Sequence, residues 1–147
     1  MPYPSLLVQP FRDELARIGV SELMTAADVD AFLRDKTGTA LLVINSVCGC
    51  AAGKARPAIR MALEQARRPD RMGTVLAGQD IEATAQARSY FADIPSSSPS
   101  IAIFKDGELI YFMPRSAIEG RDADAIAADL LEVFSQHCAA TGVTSLP

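Results

Sequence analysis

Apolar residues recur at helical spacing in five stretches of the chain. In the first stretch they form one helical face made of Leu7, Phe11, Leu15 and Ile18. Thr25, with Asp28 three residues later, is a candidate N-cap for the second. Pro57 interrupts the third, so we expect a kink or a late start there. The pattern predicts helices over 6–18, 25–38, 51–67, 80–91 and 122–138.

Four shorter stretches have the length and composition of strands. Residues 40–44 are continuously apolar, which is typical of a parallel strand covered on both faces. Further strands are predicted over 73–77, 100–104 and 109–113. The last two flank Asp106 and Gly107, a strong hairpin signal. The order ααβαβαββα predicts an α/β three-layer sandwich, with a central mixed β-sheet flanked by helices.

Length, composition and charge narrow the function classes. The chain has 147 residues, a common size for one domain, so we expect a single domain over 1–147. Its 49% apolar and 22% charged residues exclude a disordered chain. The net charge of −4 weighs against nucleic-acid binding. No apolar run is long enough for a membrane span, so neither nucleic acid nor membrane is an expected partner.

The cysteine count and the first residues of the sequence indicate a compartment. There are three cysteines, Cys48, Cys50 and Cys138, too few for the disulfide framework of a secreted protein. The first eight residues lack the basic segment and long apolar core of a secretory signal. We therefore expect a soluble cytoplasmic protein, in which closely spaced thiols indicate redox chemistry or metal binding.

Cys48 and Cys50 lie between the first predicted strand and the third predicted helix. Loops at the carboxyl ends of strands hold the chemistry of open α/β sheets. A helix N-terminus favours a thiolate, and Lys54 and Arg56 add positive charge, so we expect a lowered pKa for Cys48. Gly49 leaves room for a bulky disulfide partner, and a disulfide spanning only two residues would be strained and readily exchanged.

Two other interpretations of the cysteine pair stay open. The pair could be buried and inert, although its glycine and polar neighbours are unlike a core. It could also bind Zn²⁺, Cu⁺ or an iron–sulfur centre, with Cys138 and His137 as the only further thiol and imidazole ligands. That site would require the end of the last helix to fold against the loop. His137 has a simpler role as a cation near a helix C-terminus. We expect neither a resident metal nor a cofactor.

The motifs resemble those of the bacilliredoxins, a family with the thioredoxin fold and a Cys-Gly-Cys active site. The similarity begins with NSVCGCAAG at 45–53 and ARP at 55–57. It continues through AGQD at 77–80, PSSSPS at 95–100, PR at 114–115 and IEG at 118–120, and ends with HC at 137–138. It spans nearly the whole chain. The resemblance implies a thioredoxin-like sandwich with an extra N-terminal helix.

The resemblance also implies a mechanism. Cys48 would attack a mixed disulfide between a protein and bacillithiol, a small cysteine-containing thiol that serves as co-substrate. Cys50 would then resolve the intermediate, a step that free bacillithiol could also perform. Pro99, before the predicted hairpin, is similar to the cis-proline of thioredoxins. Asn45 and Ser46 would either donate hydrogen bonds to the thiolate or shape the turn.

The sequence leaves both the substrate and the oligomeric state open. The same cysteines could serve a general protein disulfide isomerase or reductase, or a non-enzymatic thioredoxin-fold metal-binding module. The expected partners are bacillithiolated or disulfide-bearing proteins and a low-molecular-weight thiol. The basic stretch from Lys54, including Arg56, is a candidate surface for the carboxylates of bacillithiol. Met and Leu in the N-terminal segment could cover a partner's surface, which makes a homodimer possible.

Overall fold

A computed structural model describes residues 4–34, 37–47, 51–64 and 68–138. The helices are α1 Ser5–Ala16, α2 Ala26–Arg34, α3 Arg56–Leu63, α4 Ile81–Ser89, α5 Arg115–Ile118 and α6 Ala123–His137, with a π-helical turn over Ala51–Ala55 before α3. The strands are β1 Ser21–Glu22, β2 Thr39–Asn45, β3 Arg71–Leu76, β4 Ser100–Lys105 and β5 Glu108–Met113. No helix in these ranges is long and apolar enough to cross a membrane.

The strands form one mixed sheet in the order β1-β3-β2-β4-β5. β2 lies at its centre, parallel to β3 and antiparallel to β4. Side chains of β2 alternate between two cores: Leu41 and Val43 pack with α3 and α6, whereas Leu42 and Ile44 pack with α2 and α4. All residues of β2 are buried, as expected for a strand covered on both faces. The predicted three-layer mixed sheet is confirmed.

Each predicted helix and strand is present, and the structure adds two short elements. β1 pairs with β3 over two residues only, too few to produce a hydrophobic period. The four-residue α5 likewise falls below the length that periodicity can detect. The predicted helix over 51–67 is divided at Pro57, which lies in the first turn of α3 and follows the π-helical turn. The expected late start is therefore confirmed.

Two local signals form the contacts that the sequence predicts. The Thr25 hydroxyl accepts from the Asp28 N–H at 3.0 Å, and the Asp28 carboxylate accepts from the Thr25 N–H at 3.3 Å, which forms a capping box. In the hairpin, Asp106 and Gly107 have φ values of +50° and +87°, as a type I′ turn requires. These contacts fix the start of α2 and the register of β4 with β5.

Asp30 links the two helices on one face of the sheet. Its Oδ1 accepts from the hydroxyl of Tyr90 at 2.6 Å and from Nε2 of Gln86 at 2.7 Å. The hydrogen bond from Tyr90, followed by that from Gln86, lowers the pKa of the Asp30 carboxyl. Because the lowered pKa belongs to the folded state, this contribution to stability is present above about pH 4 and is lost on further acidification.

We therefore expect Tyr90→Phe to destabilise the chain most near neutral pH. The difference from wild type should narrow between about pH 4 and pH 3, because protonated Asp30 accepts a weaker hydrogen bond. Thermal unfolding at pH 6, 4 and 3 measures this, with Tyr111→Phe on β5 as the control. A difference that stays constant with pH would contradict the prediction.

Candidate functional site

Three strands meet at the edge of the sheet where β2 ends. Asn45, the last residue of β2, pairs with Leu76 of β3, and Ile44 pairs with Ser100 of β4. The Ala77 N–H donates to the Asn45 carbonyl at 3.0 Å, which continues the pairing by one residue. In the sequence, the Cys-Gly-Cys motif begins three residues after Asn45. Cys48, Gly49 and Cys50 lie outside the described residues, which end at Val47 and resume at Ala51.

Asn45 and Ser46 are buried at the start of this turn. Oδ1 of Asn45 accepts from the Ser46 N–H at 2.8 Å, and its Nδ2 donates to the Phe11 carbonyl of α1 at 3.2 Å. These bonds hold the chain where it leaves the strand. They are contacts of the kind that shape a turn, which is one of the two roles that the sequence allows for Asn45 and Ser46.

Arg56 is turned inward, with 2% of its surface exposed. Its Nη1 donates to Asn45 Oδ1 at 3.1 Å and to the Ser46 carbonyl at 2.8 Å. Its Nε lies 3.2 Å from Glu14 Oε2, and the guanidinium carbon is 4.9 Å from the centre of the Phe11 ring. Within the described chain, its buried Nη2 has no hydrogen-bond partner. A positive charge is thus fixed beneath the turn that leads into the motif.

The two basic residues nearest the motif, Lys54 and Arg56, are held by contacts within the chain. Arg56 is committed to the interior, because its hydrogen bonds face the turn and α1. Nζ of Lys54 donates to the Arg121 carbonyl before α6 at 2.6 Å. The charges along a helical sequence do not show which face of the helix is buried. Neither side chain projects freely to attract a carboxylate.

α1 also holds the loop after β3. Arg12 and Asp80 form two hydrogen bonds, at 2.8 and 2.7 Å, with side chains 9% and 8% exposed. The hydrogen bond to Asp80 raises the pKa of Arg12 further. Phe11, Arg12 and Glu14 were not predicted from the sequence as supporting residues. Helical periodicity predicts that α1 exists, but it does not identify which distant polar groups the helix meets.

Pro99 is buried at the same edge, and the Ser98–Pro99 peptide bond is cis. The predicted cis-proline is confirmed. Ser97 and Ser98 before it are held by α5. The Arg115 N–H donates to Ser97 Oγ, and Nη1 of Arg115 donates to the Ser98 carbonyl, each at 3.2 Å. The two loops that flank the end of β2 are therefore both fixed by helices.

His137 and Cys138 lie at the far end of α6 from this edge. The start of α6 is near Lys54, and its 15 residues span roughly 22 Å. Cys138 is buried in the core with α3 and α6. Among the residues that the structure describes, no three His, Cys, Asp or Glu side chains converge as a metal site would require.

Comparison with known proteins gives consistent matches over most of the chain. A family model described as disulphide isomerase matches residues 3–138. A bacilliredoxin of Salinibacter ruber is 54% identical over 140 residues, covering 94% of this chain and 82% of the relative. Another from Koribacter versatilis is 52% identical over 139 residues, covering 95% and 96%. The thioredoxin of Fasciola hepatica superposes with a TM-score of 0.54 at 18% identity, covering 80% of this chain and 99% of its own. The fold is that of thioredoxin.

Proposed function

The chain belongs to the bacilliredoxin family and is a thiol–disulfide oxidoreductase, and from that premise we propose that it removes bacillithiol from protein mixed disulfides. The proposed catalytic residues are Cys48 and Cys50. The observation that supports this most directly is the position of the pair, between the central strand and a helical segment that begins at Ala51. Pro99 and the buried Arg56 flank the same turn.

The proposed reaction consists of two exchanges. The thiolate of Cys48 attacks the bacillithiol sulfur, a disulfide forms between them, and the substrate protein leaves as a thiolate that takes up a proton. The thiolate of Cys50 then attacks Cys48 Sγ and releases bacillithiol. The two cysteines end as a disulfide, so each cycle requires two electrons from an external thiol reductant. A second bacillithiol molecule could replace Cys50 in the resolving step.

Two features of the described residues favour the thiolate form of Cys48. The helical segment from Ala51 begins with N–H groups that have no helical acceptor, and its dipole places partial positive charge there. The guanidinium of Arg56 lies on the Ser46 carbonyl, two residues before Cys48 in the sequence. Both stabilise negative charge, so we propose a pKa for Cys48 below that of a free cysteine.

The second candidate is a general disulfide isomerase, which the description of the matching family model favours. It would use the same cysteines on disulfides within one protein. The proposed setting for either activity is the cytoplasm, with no resident cofactor. The homodimer remains a prediction, and Leu6 and Leu7 of α1 are exposed.

A trapping experiment tests the proposed function. We expect Cys50→Ala, incubated with a bacillithiolated protein, to gain the mass of one bacillithiol less two hydrogens, located on Cys48. The substrate protein should be recovered as its free thiol. Scrambled ribonuclease is the comparison substrate for the wild-type chain. Faster renaturation of ribonuclease than removal of bacillithiol, with no trapped adduct, would instead support the isomerase.

A further inference from the structure

A cleft of about 400 Å³ opens beside α4, at the edge of the sheet that holds the turn after β2. Its volume falls within the range of small-molecule sites. The residues that line it are Gly78, Ile81, Thr84, Ala85, Arg88 and Ser96. It extends from the loop after β3 to the segment before Pro99. The contacts described above for the candidate site use none of the charged and hydrogen-bonding side chains of this cleft.

Arg88 supplies a positive charge to the cleft. Its Nη2 donates to the Ser97 carbonyl at 3.3 Å, and no described carboxylate forms an ion pair with it. Burial lowers the pKa of Arg88, which reflects the cost of keeping the charge away from water. An anion in the cleft would offset that cost. The Arg88 guanidinium has the planar geometry that binds a carboxylate through two hydrogen bonds.

Thr84 supplies a second polar group. The residue is 4% exposed, and its Oγ1 is buried with no hydrogen-bond partner in the described part of the chain. A buried hydroxyl left in this state costs free energy, and rotation of the Thr84 side chain about χ1 would bring it to a ligand oxygen in the cleft. Ile81 adds an exposed apolar surface to the lining. The combination suits an organic acid with a short carbon frame.

We propose that this cleft binds the carboxylate-bearing part of the small thiol that is joined to the substrate protein. The inference rests on the proposed function, and it names the residues that select the thiol. Arg88 holds a carboxylate, Thr84 donates to a second oxygen of the same molecule, and Ile81 contacts its carbon frame. The cleft therefore replaces the surface around Lys54 and Arg56 as the site of anion recognition.

The position of the cleft is consistent with exchange at Cys48. Gly78 follows β3 two residues after Leu76, the partner of Asn45. Ser96 precedes Pro99, whose neighbour Ser100 pairs with Ile44. Both walls of the cleft thus begin next to the end of β2, and Cys48 follows that end by three residues. A thiol whose carboxylate lies on Arg88 would present its sulfur toward this edge.

The inference is tested by binding of S-methylated bacillithiol to the full reduced chain. Because its sulfur is methylated, this probe cannot undergo disulfide exchange. We expect Arg88→Gln to raise the Kd at least about tenfold and Thr84→Val to raise it about threefold. The Tm of Thr84→Val should not fall, since its hydroxyl has no partner in the described fold. Arg34→Gln, which removes the same charge from a side chain 73% exposed before β2 begins, is the control and should stay within about twofold.

The carboxylates themselves are tested by esterification. The dimethyl ester of the same probe should bind wild type weakly and should be insensitive to Arg88→Gln. Equal binding of ester and acid, or an unchanged Kd in Arg88→Gln, would overturn the inference. The inference would also be overturned if Arg88→Gln weakened binding of an acidic peptide from the substrate protein but not binding of the probe.

Turnover of a bacillithiolated protein, measured in parallel, separates this inference from the proposed function. If the wild-type chain turns over the substrate but Arg88→Gln leaves the Kd of the probe unchanged, only the cleft assignment is overturned. Arg88-dependent binding without turnover by wild type would overturn the proposed function and support the cleft as a carboxylate site.

Discussion

The Cys48→Ser chain is expected to lose thiol–disulfide exchange by at least about a thousandfold. The attacking species in exchange is a thiolate, and a serine hydroxyl is neither ionised near neutral pH nor able to form a disulfide. Fold and stability should change little, because the substitution replaces sulfur by oxygen at one atom. The rate of release of bacillithiol from a labelled protein measures the loss.

The other two cysteines provide matched controls for this substitution. Cys50→Ser should still form the mixed disulfide with bacillithiol and should fail to release it. Cys138→Ala, in the core beside α3 and α6, should retain exchange within about twofold of wild type. If Cys48→Ser kept a substantial rate while Cys50→Ser lost the first step, the proposed roles of the two cysteines would be reversed.

We expect Arg56→Met to lower both stability and the rate of exchange. Methionine is apolar and unbranched but loses the cation–π contact with the Phe11 ring, and the Ser46 carbonyl and the Asn45 side chain each lose a charged donor. Two such hydrogen bonds correspond to a destabilisation of about 3 kcal/mol. Loss of the charge should also raise the pKa of Cys48 toward that of a free cysteine. The exchange rate at pH 7 should then fall about tenfold.

Two measurements separate these effects of Arg56. Urea unfolding gives the change in stability, and the pH dependence of iodoacetamide alkylation gives the change in the pKa of Cys48. Arg60→Met on the exposed side of α3 is the control, and it should alter stability by less than about 0.5 kcal/mol. A destabilised Arg56→Met chain with an unshifted alkylation profile would limit Arg56 to a structural role.

The fold was predictable because each layer leaves a local pattern in the sequence. The continuous apolar run of β2 indicated burial on both faces, and Asp106 with Gly107 indicated the hairpin. β1 was not predictable, since its two residues have no period of their own and form a strand only by pairing with β3. Its existence depends on a partner some fifty residues away, which local pattern does not contain.

The site was only partly predictable for a related reason. Asn45, Arg56 and Pro99 were identified from their place near the motif, and the cis bond at Pro99 was inferred from resemblance. Whether Arg56 faces solvent or the interior depends on α1, which supplies Phe11 and Glu14 from more than forty residues earlier. Contacts of this kind follow from packing of the whole chain. For that reason, charge counting along the sequence could not show that the Arg56 side chain is buried.

α1 contacts the turn after β2 and the loop after β3, and this constrains how the chain can be shortened. A version trimmed to begin at β1 would lose Arg12, the partner of Asp80, and Glu14, the partner of Arg56. It would keep an inward-facing carboxylate and an inward-facing guanidinium, each without its counter-charge. We expect loss of α1 to destabilise the chain unless Asp80 and Arg56 are replaced at the same time.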